Sequence, residues 1–218
     1  MPVVALAGEP AGYAGKVVLE DVHLRIDAGE RIAIVGESGS GKTTLLKLIE
    51  AHSTEAVALV PQDLGLVRAL TVFHNVYMGR LNQHSALHNL RNLIWPARPH
   101  VAAVRGVLDK LRLADKIFTP VGQLSGGQQQ RTAVARALYS TGTLFIGDEP
   151  VSAVDDHQAR ELLGLAGREK QTVVVALHDR ALALSFADRL IGLRKGRIVF
   201  DSPAAGLQPD DLDHIYLP

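Results

Sequence analysis

Apolar and polar positions follow two rhythms along this chain, one of strands and one of helices. Residues 17–26, "VVLEDVHLRI", alternate in the manner of a strand with one wet face. "AGE" at 28–30 reads as a turn, and "RIAIVG" at 31–36 is a short apolar run of the kind a buried strand leaves. "TTLLKLIEAH" (43–52) spaces its apolar residues as a helix does, and "VALVPQ" (57–62), "TLFIGDEP" (143–150) and "TVVVALHD" (172–179) are three more buried strands. Strands separated by helical segments predict an α/β fold with a mainly parallel sheet covered on both faces. From about 65 to 139 the rhythm is mainly helical, in "TVFHNVYMGRL", "HVAAVRGVLDKLRLADK" and "GGQQQRTAVARALY". The polar stretch "NQHSALHNLRNLIWPARPH" between them ends in prolines and leaves its helicity open. The tail from Arg197 predicts one strand and then an irregular or short helical end. The expected organisation is a single domain over 1–218, with an α/β core from 1–64 and 140–218 and an inserted helical lobe from 65–139.

Composition narrows the picture. A chain of 218 residues can bury a sizeable core. Its 23 basic and 23 acidic residues balance, which argues against a nucleic-acid surface. There is no cysteine, so disulfides and thiolate metal sites are excluded. The start, "MPVVALAGEPAGYAG", lacks the basic and apolar regions of a signal peptide. No apolar run approaches the ~18 residues that cross a bilayer. The expectation is a soluble chain whose membrane role, if any, passes through a partner.

The chemistry sits at the ends of the predicted strands. "GESGSGKT", Gly36 to Thr43, fits G-x-x-x-x-G-K-[ST] between a buried strand and a helix, the context that makes this pattern a phosphate loop. Its backbone N–H groups and the helix start would cradle a polyphosphate. Lys42 would reach the β- and γ-phosphates, and the Thr43 hydroxyl would bind magnesium. Asp148 and Glu149 end another strand, where ligands bind in open α/β sheets. Asp148 can hold the magnesium shell, and Glu149 can act as general base on a water. Gln62 and His178 also follow strands. Each could enter a γ-phosphate site, Gln62 through magnesium or water and His178 by a hydrogen bond, although alone each would be an ordinary solvated cap. The other eight histidines show no metal pattern and read as surface or core residues.

A second glycine turn, "LSGGQQQR" at 124–131, opens a helix with Ser125 placed as its N-cap. It too favours a phosphate. It could fold back on the chain's own phosphate loop. Alternatively, a second copy related by a two-fold axis could offer it to the first copy's nucleotide, which explains two anion loops without two ligands per chain.

In order, "GESGSGKTT", Gln62, "LSGGQQQR", "FIGDEP", "SAVD" and His178 resemble the motif series of ATP-binding-cassette (ABC) ATPases over almost the whole chain. The resemblance implies a P-loop NTPase (RecA-like) core, a helical subdomain carrying the signature loop, and an antiparallel β subdomain. It implies ATP with Mg2+ held in a head-to-tail dimer of two copies. Tyr13 resembles the aromatic that stacks on adenine. Gly36, Glu37, Ser38, Gly39, Ser40, Gly41, Lys42, Thr43 and Thr44 resemble the phosphate loop, and Gln62 the loop that senses the transporter. Ser125, Gly126, Gly127 and Gln128 resemble the part of the signature loop that acts across the dimer. Asp148 and Glu149 resemble the metal-associated acid and the base, Asp155 the dimer-contact aspartate, and His178 the switch histidine. Glu149 and His178 are both intact, which implies hydrolysis.

"LTVFHNVYMGRLNQHSALHNLRNLIWP" and "GRIVFDSPAAGLQPDDLDHIY" further resemble the ATPase subunits of bacterial phosphonate importers. This implies permease subunits and a solute-binding protein as partners, no nucleic acid, and a peripheral place on the cytoplasmic face of the inner membrane. The alternative is an ATPase subunit of a soluble complex of the same type, without transport. One departure stands out. The segment from Lys42 to Gln62 is about half the family's usual length, so the adenine side is expected to be abbreviated and base recognition to lean on Tyr13 and the phosphates.

Overall fold

The computed structural model describes residues 2–13 and 16–216. Eight strands occur among them: β1 (Val4–Tyr13), β2 (Lys16–Ile26), β3 (Arg31–Val35), β4 (Val57–Val60), β5 (Leu144–Asp148), β6 (Thr172–Ala176), β7 (Arg189–Arg194) and β8 (Arg197–Pro203). The α-helices are α1 (Lys42–His52), α2 (Val72–Tyr77), α3 (Ala86–Ile94), α4 (Arg98–Lys110), α5 (Gly126–Tyr139), α6 (Asp156–Glu169), α7 (Arg180–Phe186) and α8 (Asp213–Tyr216).

β3 to β8 form one sheet of order β4-β5-β6-β3-β7-β8, and β1 pairs with β2 in a separate two-stranded antiparallel sheet. Within the large sheet every pairing is parallel except that of β8 on β7. The continuous apolar runs have a simple cause. Neighbouring residues of a strand face opposite sides, and here both sides are covered. Ile32, Ile34, Leu144, Ile146, Val174 and Ala176 pack with α1 and the β1–β2 sheet. Ala33, Val35, Phe145, Val173 and Val175 pack on the other face with residues of α2, α4, α5, α6 and α7. Hence β5 and β6 are buried at every position.

The helical stretch departs from its sequence rhythm in places. "TVFHNVYMGRL" does not form one helix: α2 ends at Tyr77 and a 3-10 segment, Met78–Gln83, follows with a kink at Arg80. The cause is packing, because a Cβ at Gly79 would lie 2.5 Å from the Arg136 carbonyl oxygen and the backbone there lies directly on α5. α4 stops at Lys110, and Arg112 turns the chain with φ 54°. The undecided stretch after Gln83 contains α3, capped by the Ser85 side chain. From α1 to β4 only residues 53–56 intervene, in keeping with the short segment noted in the sequence.

Candidate functional site

β3 lies between β6 and β7, and the chain leaves it through α1 for the far edge strand β4. The strand order therefore reverses beside β3, the place where open α/β sheets bind ligands. The carboxyl ends of β3, β4, β5 and β6 present the phosphate loop, Gln62, the Asp148–Glu149 pair and His178 in turn. A cleft of about 470 Å³ joins them, lined by Ser38, Gly39, Gly41, Lys42, Thr43, Thr44, Gln62, Glu149 and His178, with Val18 of β2 at its rim.

The loop's path requires glycine. Gly41 takes φ 109°, and at Gly36 a Cβ would lie 2.2 Å from the Leu193 carbonyl oxygen of β7. The Lys42 ammonium is buried inside the loop and donates to the carbonyls of Gly36 (2.8 Å) and Glu37 (3.0 Å). Burial pushes its pKa below the usual lysine range, against the opposing pull of Glu149 and Asp148. Ser40 is buried too, with no hydrogen-bond partner for its hydroxyl. The Thr43 hydroxyl donates to Asp148 Oδ2 at 2.7 Å, so two hard oxygen donors stand together.

Glu149 follows with φ 52°, a left-handed backbone that costs a non-glycine residue about 1 kcal/mol. Neighbours hold it on two sides: its N–H donates to the Ala176 carbonyl at 3.2 Å, and its carbonyl accepts from Gln130 Nε2 at 2.9 Å. Its carboxylate oxygen Oε1 lies 2.5 Å from His178 Nε2.

The second glycine turn lies apart from this cleft. Ser125 and Gly126 are exposed, and neither Ser125–Gln128 nor Asp155 lines the cleft. Ser125 caps α5 in a capping box. Its hydroxyl accepts from the Gln128 N–H (3.3 Å), and its own N–H donates to Gln128 Oε1 (3.0 Å). Asp155 caps α6, accepting from the Gln158 N–H at 2.9 Å, and these contacts hold its carboxyl below the usual range. Tyr13 ends β1, and its side chain lies outside the described residues.

α5 carries two residues that sequence reading passes over. Buried Gln130 donates to the Glu149 carbonyl and accepts from the Ala153 N–H at 2.6 Å, clamping the loop after β5. Arg136 donates to the carbonyls of Leu64 (2.8 Å) and Gly65 (2.5 Å), just after Gln62. One helix thus touches the signature turn, the Glu149 loop and the Gln62 segment. The only sequence signal for Gln130 is a glutamine on the buried side of an otherwise apolar helix face.

Residues 19–152 match the ABC transporter family. The chain belongs to that family, as one of its ATP-hydrolysing cassettes. A Pseudomonas putida protein named "Phosphonates import ATP-binding protein PhnC" is 41% identical over 227 residues, covering 91% of this chain and 84% of its own. An Anaeromyxobacter dehalogenans protein of the same name is 36% identical over 242 residues, and this chain spans 48% of that longer relative. Among solved structures, a bacterial ABC transporter cassette determined as a dimer superposes with a TM-score of 0.80 at 25% identity, covering 95% of this chain and 100% of its own. A cassette dimer in a post-hydrolysis state with ADP and Pi superposes with a TM-score of 0.74, also at 25% identity. Among the described residues no helix is long and apolar enough to cross a membrane.

Proposed function

We propose that this cassette drives an importer for phosphonate or a related phosphorus oxyanion. It works as a head-to-tail pair of copies beneath permease subunits that a solute-binding protein supplies. The observation that supports the chemistry best is the convergence of Lys42, Thr43, Glu149 and His178 on one cleft, with Asp148 hydrogen bonded to Thr43 beside it, while the anion-ready turn at Ser125 is exposed and outside the cleft's lining. The solute is taken from the names of the PhnC relatives.

The Thr43 hydroxyl, the Asp148 carboxylate and the Gln62 amide are oxygen donors of the type magnesium takes alongside phosphate and water, so the residues present fit that ion. When bound, magnesium neutralises charge on the phosphate oxygens. Lys42 exchanges its two carbonyl partners for the β- and γ-phosphates. Glu149 orients a water in line with the γ-phosphorus and accepts its proton as the new P–O bond forms, and the bond to the β–γ bridging oxygen breaks with its electrons leaving on ADP. His178 hydrogen bonds the γ-phosphate and is positioned by the Glu149 carboxylate.

Ser125 to Gln128 of the second copy cover the same phosphate, and Asp155 lies at the dimer contact. The buried backbone cradle of one copy and the exposed helix start of the other complete a site that neither holds alone. Tyr13 stacks on the adenine. Loss of the γ-phosphate removes the bridge and opens the pair, and α5 carries that motion to the Gln62 segment and the permease.

Glu149→Gln is expected to trap an ATP-loaded dimer on gel filtration; a monomer that still binds ATP overturns the sandwich. For the solute, the chain is co-expressed with its permease and binding protein, and alkylphosphonate uptake into vesicles is measured. Uptake abolished by Glu149→Gln supports the reading. Co-purification with a soluble complex instead of a permease moves the chain to the non-transport alternative.

A further inference from the structure

The sequence leaves eight histidines without a pattern, and folding brings three of them together. His84 ends the 3-10 segment before α3, His88 lies in the first turn of α3, and His100 lies in the first turn of α4. One ring nitrogen from each lies within 4.8 Å of the other two, and none of the three lines the nucleotide cleft. From this geometry we infer that His84, His88 and His100 form a three-imidazole site for a divalent transition metal of the zinc class, stapling the start of α3 to the start of α4.

The spacing suits such an ion. With zinc–nitrogen bonds of about 2.0–2.1 Å, nitrogens around a tetrahedral zinc lie about 3.3 Å apart. His88 Nε2 and His100 Nε2 are 2.9 Å apart, and the remaining ligand-atom pairs lie within 4.8 Å, a gap of the size that side-chain torsions adjust. The rings are held in place. Buried Tyr77 stacks on His84 (centroids 6.1 Å, 4°) and meets His100 edge-on (5.1 Å). The Tyr77 hydroxyl donates to Asn89 Oδ1 at 3.0 Å, and Asn89 Nδ2 donates to the carbonyls of Leu81 (2.9 Å) and His84 (3.3 Å). Ser85 fixes the first turn of α3 by accepting from the His88 N–H, and Pro99 sits in the first turn of α4.

The donor set also selects the metal. Three imidazoles without a carboxylate suit zinc, copper, nickel or cobalt, and they do not suit magnesium, which takes oxygen. Partly exposed rings leave the fourth position to water or to a partner's ligand. Such an ion would stiffen the helical lobe without entering the ATP chemistry.

The test uses the full-length chain free of nucleotide. Zn(II) is titrated by calorimetry and Co(II) by its visible d–d absorption, for the wild type and for His88→Gln and His100→Gln, each checked by circular dichroism. The expected result is one ion per chain, tetrahedral Co(II) bands, no competition from excess magnesium, and at least a ~10-fold loss of affinity in each variant. ATP turnover without added transition metal is expected to stay at the wild-type level in both. Absence of saturable binding leaves the cluster as aromatic packing alone and overturns the inference. Undiminished binding in both variants overturns it as well, because the ion then lies elsewhere. Should one substitution unfold the chain, the other carries the test.

Discussion

The phosphate loop and the signature turn are both glycine-rich starts of helices, yet the chain treats them in opposite ways. The first is anchored in the sheet's crevice at Gly36, Ser40 and Lys42, threaded by its own lysine and pressed against the β7 backbone, while its tip at Glu37, Ser38 and Gly39 is exposed. The second stands in solvent, its cap and first amide satisfied within the turn. One is held in shape by contacts inside the cleft, and the other by a cap within its own turn. On the proposed reading, the difference divides an anion site between an anchored cradle and a preformed lid, with the nucleotide as the contact between them.

The two can be separated experimentally, beginning with the largest expected effect. Glu149→Gln should lower ATP turnover about 10³-fold, roughly 4 kcal/mol in barrier, while ATP affinity persists; steady-state hydrolysis beside equilibrium nucleotide binding checks this. Gly36→Ala should destabilise the fold by on the order of 3 kcal/mol, because its Cβ would lie 2.2 Å from the Leu193 carbonyl oxygen, and nucleotide binding should fail with it. A thermal melt close to wild type would mean the β3–β7 crevice is softer than its packing implies.

Gln130→Leu leaves the Ala153 N–H without its acceptor and should cost about 2 kcal/mol on denaturant unfolding. Turnover should fall as well, because the Glu149 carbonyl loses its donor. Gln130→Glu keeps the Ala153 acceptor but turns a buried carboxylate oxygen on the Glu149 carbonyl, so it should restore neither stability nor turnover at neutral pH. The smallest effect on stability belongs to the signature turn. Ser125→Ala should cost about 1 kcal/mol as a lost cap. Ser125→Asp is an equally good cap, so the melt should hold while turnover drops at least 10-fold from charge repulsion at the phosphate. If Ser125→Asp turns over ATP normally, the turn serves only as a helix cap.

How much of this was legible beforehand followed from burial. Strands covered on both faces leave unbroken apolar runs, so β3, β5 and β6 are plain in the sequence. The phosphate loop is plain because its glycines and lysine are fixed in relative position along one segment. β1, "VALAGEPAGY", does not read as a strand, since glycine and proline interrupt it and its pairing with β2 shifts register three times. The break at Gly79 depends on the α5 backbone pressing on it, and the role of Gln130 depends on a loop 19 positions away in the chain. The histidine trio is drawn from a cap and two separate helices, a grouping that no local period encodes.

Glu149 is held in its left-handed turn from two directions, by β6, which is paired with the strand that leads into the phosphate loop, and by a helix whose start is exposed. A tilt of that helix need not travel through the core to reach Glu149, the proposed base. It arrives through a single glutamine amide, so on the proposed mechanism the geometry of proton abstraction can report whether another molecule is pressing on the far end of α5.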